Sequence, residues 1–512
     1  MRAWSGLVAL FCAACLQHSS VNPEPAPTAA AVFFAQESLL RLNPELNPQV
    51  EVILRSTAGV SDAKITIEGL SEVFVGRDQG GGRFAVSLEV VSLPDGDYNL
   101  EATGAGSGVV VASSQRALRI GRQGVRHTDF ESVNTALSPM LHHVQGQLAI
   151  SWTDRRQQQR RVYWQALNSA LEPVGEPIAL TDQALRVARA EVLYDGRDHL
   201  GILMQTLDAQ DQRHNQIMVV DLEGRTVLAP ERIEQGDETA RAGGGIAYDG
   251  DAFVAVTRSD SPAKEQLRFV RFSGAGVLTP PIRVAGAGDG NPVGGFLPHM
   301  TLSIAAHQMH SVIGFKRQLY DQRLEMYIQR NHVTIVDRSG AVLVTEMLTS
   351  GLNFSYDQEV VVQGVGDDIV ALWTTTDLES AEPNPPYRLH GNRAVVDAPP
   401  SRWRPLLLTS EPLDRTEFEL TEDPNGYAYM LWQDLRMRAG DEAEPLRLMI
   451  APLSSDFRLA EPKVLKHPRV FLGNSSPSMV YHQGQFVLAW VDVRSSQGAS
   501  TKSEIFLEAF SP

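Results

Sequence analysis

No cysteine follows position 15 in this 512-residue chain, and its only two, Cys12 and Cys15, stand at the extreme N-terminus. The bulk of the protein therefore has no disulfide and no thiolate for catalysis or metal binding. No stretch holds 18 consecutive apolar residues, so nothing reads as a permanent membrane-spanning helix. Basic residues are scarce: 45 Lys and Arg stand against 61 Asp and Glu, a net charge of −16 that argues against a nucleic-acid partner. No window has a sustained helical period. Enzyme signatures are missing as well. There is no G-x-S-x-G elbow, no H-E-x-x-H, no phosphate loop, no EF-hand pattern and no S-x-D-x-G-x-x-W box. No catalytic set, metal site or cofactor is assigned on this basis.

What is present begins with an export address. Met1-Arg2 supplies a positive start, Trp4 to Ala14 a short apolar run, and Ala13-Ala14 small residues before Cys15. Cys12-Ala13-Ala14-Cys15 resembles the lipobox of bacterial lipoproteins, which implies cleavage before Cys15 and a lipid on it. Cys12 occupies the position where that family usually has Leu. Cleavage without a lipid and an uncleaved anchor remain as alternatives. The resemblance further implies, for a Gram-negative host, outer-membrane sorting, because Leu16 and not Asp follows the cysteine. Residues 15–31, with Pro23, Pro25 and Pro27, lack a packing face and read as an extended tether after a signal at 1–14.

From Val32 the apolar residues alternate, as in Val50-Glu51-Val52-Ile53-Leu54 and Ala63-Lys64-Ile65-Thr66-Ile67. Period two means half-buried strands. Leu93-Pro94-Asp95-Gly96-Asp97-Tyr98-Asn99-Leu100 resembles the late hairpin of bacterial immunoglobulin-like domains, so 32–122 is expected to be such a sandwich, a spacer.

Residues 123–512 carry a repeat. Tryptophans 152, 373, 432 and 490 end similar apolar runs, and Leu200–Met204, Phe253–Thr257 and Ser311–Phe315 fill the gap at the same spacing. Each copy pairs a tight turn such as Tyr194-Asp195-Gly196 with a second turn such as Leu222-Glu223-Gly224. Four short strands repeated seven times predict a β-propeller. The chain is thus read as all-β. The last copy ends after Phe510 without a fourth strand, and 125–133 is the available closing strand. Segments 154–161, 206–215, 258–266, 317–324, 375–387, 436–445 and 494–503 are expected to loop between second and third strands, on the face opposite the tight turns. Such gathered loops are a usual place for binding. As a whole the chain resembles bacterial lipoproteins with an immunoglobulin-like domain and a seven-bladed propeller.

Three copies place Asp two positions after Trp with Arg close behind: Asp154 and Arg155, Asp434 and Arg436, Asp492 and Arg494. They could line a polar ligand site. Repetition at equivalent positions favours a structural role, with Asp accepting backbone N–H groups at a strand end. His142-His143 and His307/His310 could ligate a metal, yet they sit in or beside the first turn of their copies and read as turn residues. The expected function is a membrane-anchored extracytoplasmic binding or scaffolding protein, a monomer whose partner is a protein or glycan. The alternative is a polysaccharide hydrolase or lyase on the same scaffold.

Overall fold

A computed structural model describes residues 30–510 apart from 36–39, 43–48, 58, 91, 107–110, 121–124, 128–136, 157–158, 237, 261–264, 287–294, 297–301, 308, 322–324, 349–354, 366–367, 378–387, 396–405, 408–417, 424, 426, 435–446, 455–457, 466–476 and 493–503. The signal, Cys15 and most of the tether thus lie outside the described residues. The regular elements among those described are all strands. They form two compact units. One comprises the described parts of 1–35, 51–87 and 100–115, the other those of 36–50, 88–99 and 116–512.

Strands between Ala30 and Ile120 make two five-stranded sheets. Their alternation is the one the sequence implies: Val50, Val52 and Leu54 of one strand, and Ala63, Ile65 and Ile67 of another, are buried while their neighbours point outward. Within the first unit a Cβ added at Gly104 would lie 2.6 Å from the Val32 side chain of the other sheet, so only glycine fits that approach. The hairpin expected at 93–100 is instead a connection between sheets, since Arg83–Glu89 and Gly96–Ala105 belong to different ones; there the Tyr98 hydroxyl donates to the Pro94 carbonyl at 3.0 Å.

The remaining strands form seven sheets, the blades of a β-propeller. Blade 1 contains Leu137–Val144, Gln147–Arg156, Gln159–Leu167 and Pro173–Ala179; blade 2 runs from Arg186 to Arg232 and blade 3 from Thr239 to Gly286. Blade 4 ends at Met347, blade 5 spans Ser355–Leu407, and blade 6 Phe418–Leu465. In blade 7 Ser478–His482, Gln485–Asp492 and Glu504–Phe510 are completed by Val125–Arg126, which pairs antiparallel with Leu507 and Phe506. The closing strand is therefore a short part of 125–133.

Every neighbouring pair of blades shares an apolar cluster, including blade 7 with blade 1, where Trp152 meets Val487 and Leu507. All four repeat tryptophans are buried in these clusters, each facing the preceding blade. Trp152 stacks on its cross-strand partner Tyr163, and Trp490 on Phe506, in equivalent places.

The first strand of each blade packs on the first strand of the next, closing a ring of seven. One device recurs along it. A side chain from one inner strand accepts a hydrogen bond from a backbone N–H of the next. Ser303 Oγ takes Val362 N at 3.0 Å, Gln363 Oε1 takes Leu420 N at 2.9 Å, and Ser478 Oγ takes Leu141 N at 3.0 Å. The Glu191 and Glu419 carboxyls accept from Ile246 and Met479, and Met140 Sδ from Val192 at 3.4 Å. At the seventh junction Gly245 stands instead, and a Cβ there would crowd Ile304 at 3.2 Å. These bonds satisfy inner-strand donors that have no ladder partner on that side.

One expectation needs correction. In the first four blades much of each segment assigned to a loop is strand: the second and third strands of blade 1 leave only two residues, 157–158, between them. Alternation of inward and outward side chains simply continues beyond the tryptophan. The tight turns and the connections between second and third strands still fall on opposite ends of the blades, as antiparallel order requires.

Candidate functional site

Past Trp152 the second strand of blade 1 reads Thr153-Asp154-Arg155-Arg156, and the third strand returns as Gln159-Arg160-Arg161-Val162. Register pairs Asp154 with Arg161 and Arg155 with Arg160. Period two then sends the two pairs to opposite faces of the hairpin. On one face Asp154 is fully buried, and Arg161 donates through Nε to the Thr181 carbonyl at 2.9 Å. That bond staples the connection from blade 1 to blade 2. The other face brings two guanidiniums directly opposite each other, an arrangement that destabilises a strand pair.

Arg160 reaches across to blade 2, where its Nη1 donates to the Ala188 carbonyl at 2.6 Å. No carboxylate contacts it among the described residues, and its Nε and the Gln159 Oε1 are buried without a hydrogen-bond partner. Burial first, and the Arg155 charge second, hold the Arg160 guanidinium below its ordinary value, with Asp154 opposing. Arg186, at the start of blade 2, donates to the Asp208 carbonyl and to Asp211 Oδ1, both at 2.7 Å. These groups enclose a cavity of about 260 Å³ at the loop-bearing end of blades 1 and 2. Arg155, Gln159, Arg160 and Arg186 supply its polar wall, and Val187, Ala188 and Leu207 its apolar one. The volume lies just below the usual range for small-molecule sites, roughly 300–1,000 Å³.

Sequence reasoning reached Arg155 but missed Gln159, Arg160 and Arg186. A signal existed: Arg155-Arg156-Gln157-Gln158-Gln159-Arg160-Arg161 packs four arginines into seven residues of an acidic chain. Of the other recurrent pairs, only the backbone of the two aspartates is described. Asp434 and Asp492 end their strands, in register with Arg447 and Glu504. Their side chains, and all of Arg436 and Arg494, lie outside the described residues.

The histidines singled out in the sequence occupy ordinary places. His142 is buried, bonded to Ser151 Oγ at 2.9 Å, and burial pushes its imidazole down to about 3, so it stays neutral. His143 lies beside the ring of His482, and His307 and His310 pair across a hairpin end. Among the described residues no group of three or more His, Cys, Asp or Glu could hold a metal ion. A smaller cavity of about 40 Å³, between blades 2 and 3, includes Glu191 and Arg189 in its wall, 2.9 Å apart. It offers room for a water or so.

No protein-family model matches the chain, and no curated protein matches its sequence. Solved structures do. A PL25 ulvan lyase is 10% identical over 75% of this chain and 95% of its own, with a TM-score of 0.45. The GH93 α-L-arabinofuranosidase of Fusarium graminearum is 10% identical over 64% and 94%, with a TM-score of 0.40. A prolyl endopeptidase is 12% identical over 74% of this chain at a TM-score of 0.40, and the chain spans 50% of that protein's length. Likenesses at this level assign neither ligand nor reaction.

Proposed function

We propose that this protein is exported, carries a lipid on Cys15, and presents the loop-bearing face of its propeller as a binding surface for a polar ligand in the bacterial cell envelope, at the outer membrane of a Gram-negative host. The export signal, the proline-rich tether at 15–31 and an immunoglobulin-like stalk would hold that face away from the lipid. Two five-stranded sheets and the Tyr98 bond to Pro94 support the stalk reading.

One observation carries the proposal: the cavity between blades 1 and 2, in whose wall Arg160 Nε and Gln159 Oε1 are buried without a hydrogen-bond partner. Buried polar groups are normally satisfied, and a polar ligand or water in the cavity can satisfy these two. The second reading, cleavage of a polysaccharide on the same face, needs an acid and a base. Among the described residues the cavity wall contains neither a carboxyl nor an imidazole, which favours holding a ligand over turning it over.

The test uses the mature protein in detergent on an array of glycans and cell-envelope peptides, beside an Ala188→Trp variant that fills the cavity. A ligand bound by wild type and lost with the filled cavity is the expected result. Equal binding by both overturns the assignment, and release of shortened products moves the protein to the second reading. Labelling with radioactive palmitate, lost in Cys15→Ser, checks the anchor.

A further inference from the structure

Resting on that reading, we infer that the cavity recognises an oxyanion on a saccharide, a uronate carboxylate or a sulfate ester, held by Arg160 and Arg155 with Gln159 beside them. Three features point the same way. The register sets Arg155 directly across from Arg160, and both line the cavity, so two guanidiniums can reach one anion there. Arg160 already spends one N–H on the Ala188 carbonyl, while its Nε stays buried and unbonded. A guanidinium fork with an open N–H matches a carboxylate or sulfate edge better than it matches a neutral hydroxyl.

The remaining wall fits a sugar ring. Val187 and Leu207 supply an apolar surface, and the Gln159 amide oxygen, buried without a partner, can accept a hydroxyl. The chain's charge of −16 does not prevent this, because exposed charges farther than about 8 Å are largely screened at physiological ionic strength. Local arginines decide.

The test is calorimetric titration of the mature protein with four probes: tetragalacturonate, its methyl ester, maltotetraose and sulfated maltotetraose. We expect the free uronate, the sulfated sugar or both to bind, with the ester and the neutral sugar weaker by about tenfold or more. Which of the two anions binds identifies the source of the charge. Arg160→Gln should reduce anionic affinity by a similar factor, and Arg186→Gln serves as a second variant should Arg160→Gln melt early. If the ester and neutral sugar bind as well as the anions, and both variants match wild type, the oxyanion class is wrong. Loss of that neutral binding in Ala188→Trp would leave the cavity assignment standing, and its persistence would remove both. Absence of binding by all four probes, or binding only of poly-glutamate included as a control, overturns the saccharide inference.

Discussion

Replacing Val125 and His127 by proline should cost about 3 kcal/mol or more and drive the protein toward association, although both residues lie far from the blade they complete in sequence. Strand Val125–Arg126 pairs with Leu507 and Phe506, and His127 N donates to the Ile505 carbonyl at 2.8 Å. The His127 ring also stands edge-on to Trp152, with centroids 5.0 Å apart. Proline removes the N–H groups this pairing needs and cannot sit inside a ladder. All seven residues of Glu504–Phe510 are buried, so losing the cover turns that strand into an exposed apolar edge. Each lost backbone bond is worth about 0.5–1.5 kcal/mol, and exposed apolar area adds to it. Denaturant midpoints and size-exclusion profiles measure the effect. An unchanged midpoint and a monomeric profile would show that the ring does not depend on this strand.

The second large effect is a dependence on pH that a single substitution removes. Glu419 is partly buried between blades 6 and 7, with its Oε2 enclosed, and burial pushes its carboxyl up to about 8, while the Met479 N–H and the Ser478 hydroxyl oppose the shift. A carboxyl whose folded pKa lies above its unfolded one keeps a proton that the unfolded chain releases. Its contribution is therefore complete below about pH 4.5 and is lost as pH rises toward 8. Stability should fall by about 1.4 kcal/mol per pH unit across that window from this group alone. Glu419→Gln keeps the acceptor for Met479 without an ionisable proton. The variant should match wild type near pH 5 and exceed it by several kcal/mol near pH 8, when denaturant stabilities are compared at matched pH. Parallel profiles would show that Glu419 is solvated or otherwise compensated.

The propeller was legible because its repeat is carried by one residue type in one place. Trp152, Trp373, Trp432 and Trp490 all occupy the same packing position, facing the preceding blade. The turns were legible for a similar reason. Asp195 Oδ1 accepts from Arg197, Asp198 and His199 N, and Asp423 Oδ1 from Asn425 and Tyr427 N, as a Tyr-Asp-Gly or Asp-Pro-Asn-Gly string suggests. The inner ring was not legible. Methionine, glutamate, serine and glutamine perform one task there, so no pattern of residue types marks it. Nor did sequence join Arg160 to Arg186, because only the packing of blade 1 on blade 2 brings positions 26 apart to one wall. Asp154 and Arg155 looked like a pair in sequence. Adjacent strand residues point to opposite faces, and the structure buries the first and turns the second to the cavity.

The most direct measurement is the melting temperature of wild type and Arg160→Gln with and without a saturating anionic tetrasaccharide, at constant ionic strength. A ligand that binds only the folded state at one hundred times its dissociation constant adds about 2.7 kcal/mol of stability. The oxyanion account predicts a clear rise for wild type and little or none for Arg160→Gln. Equal rises in both proteins, or a rise in neither, would contradict it.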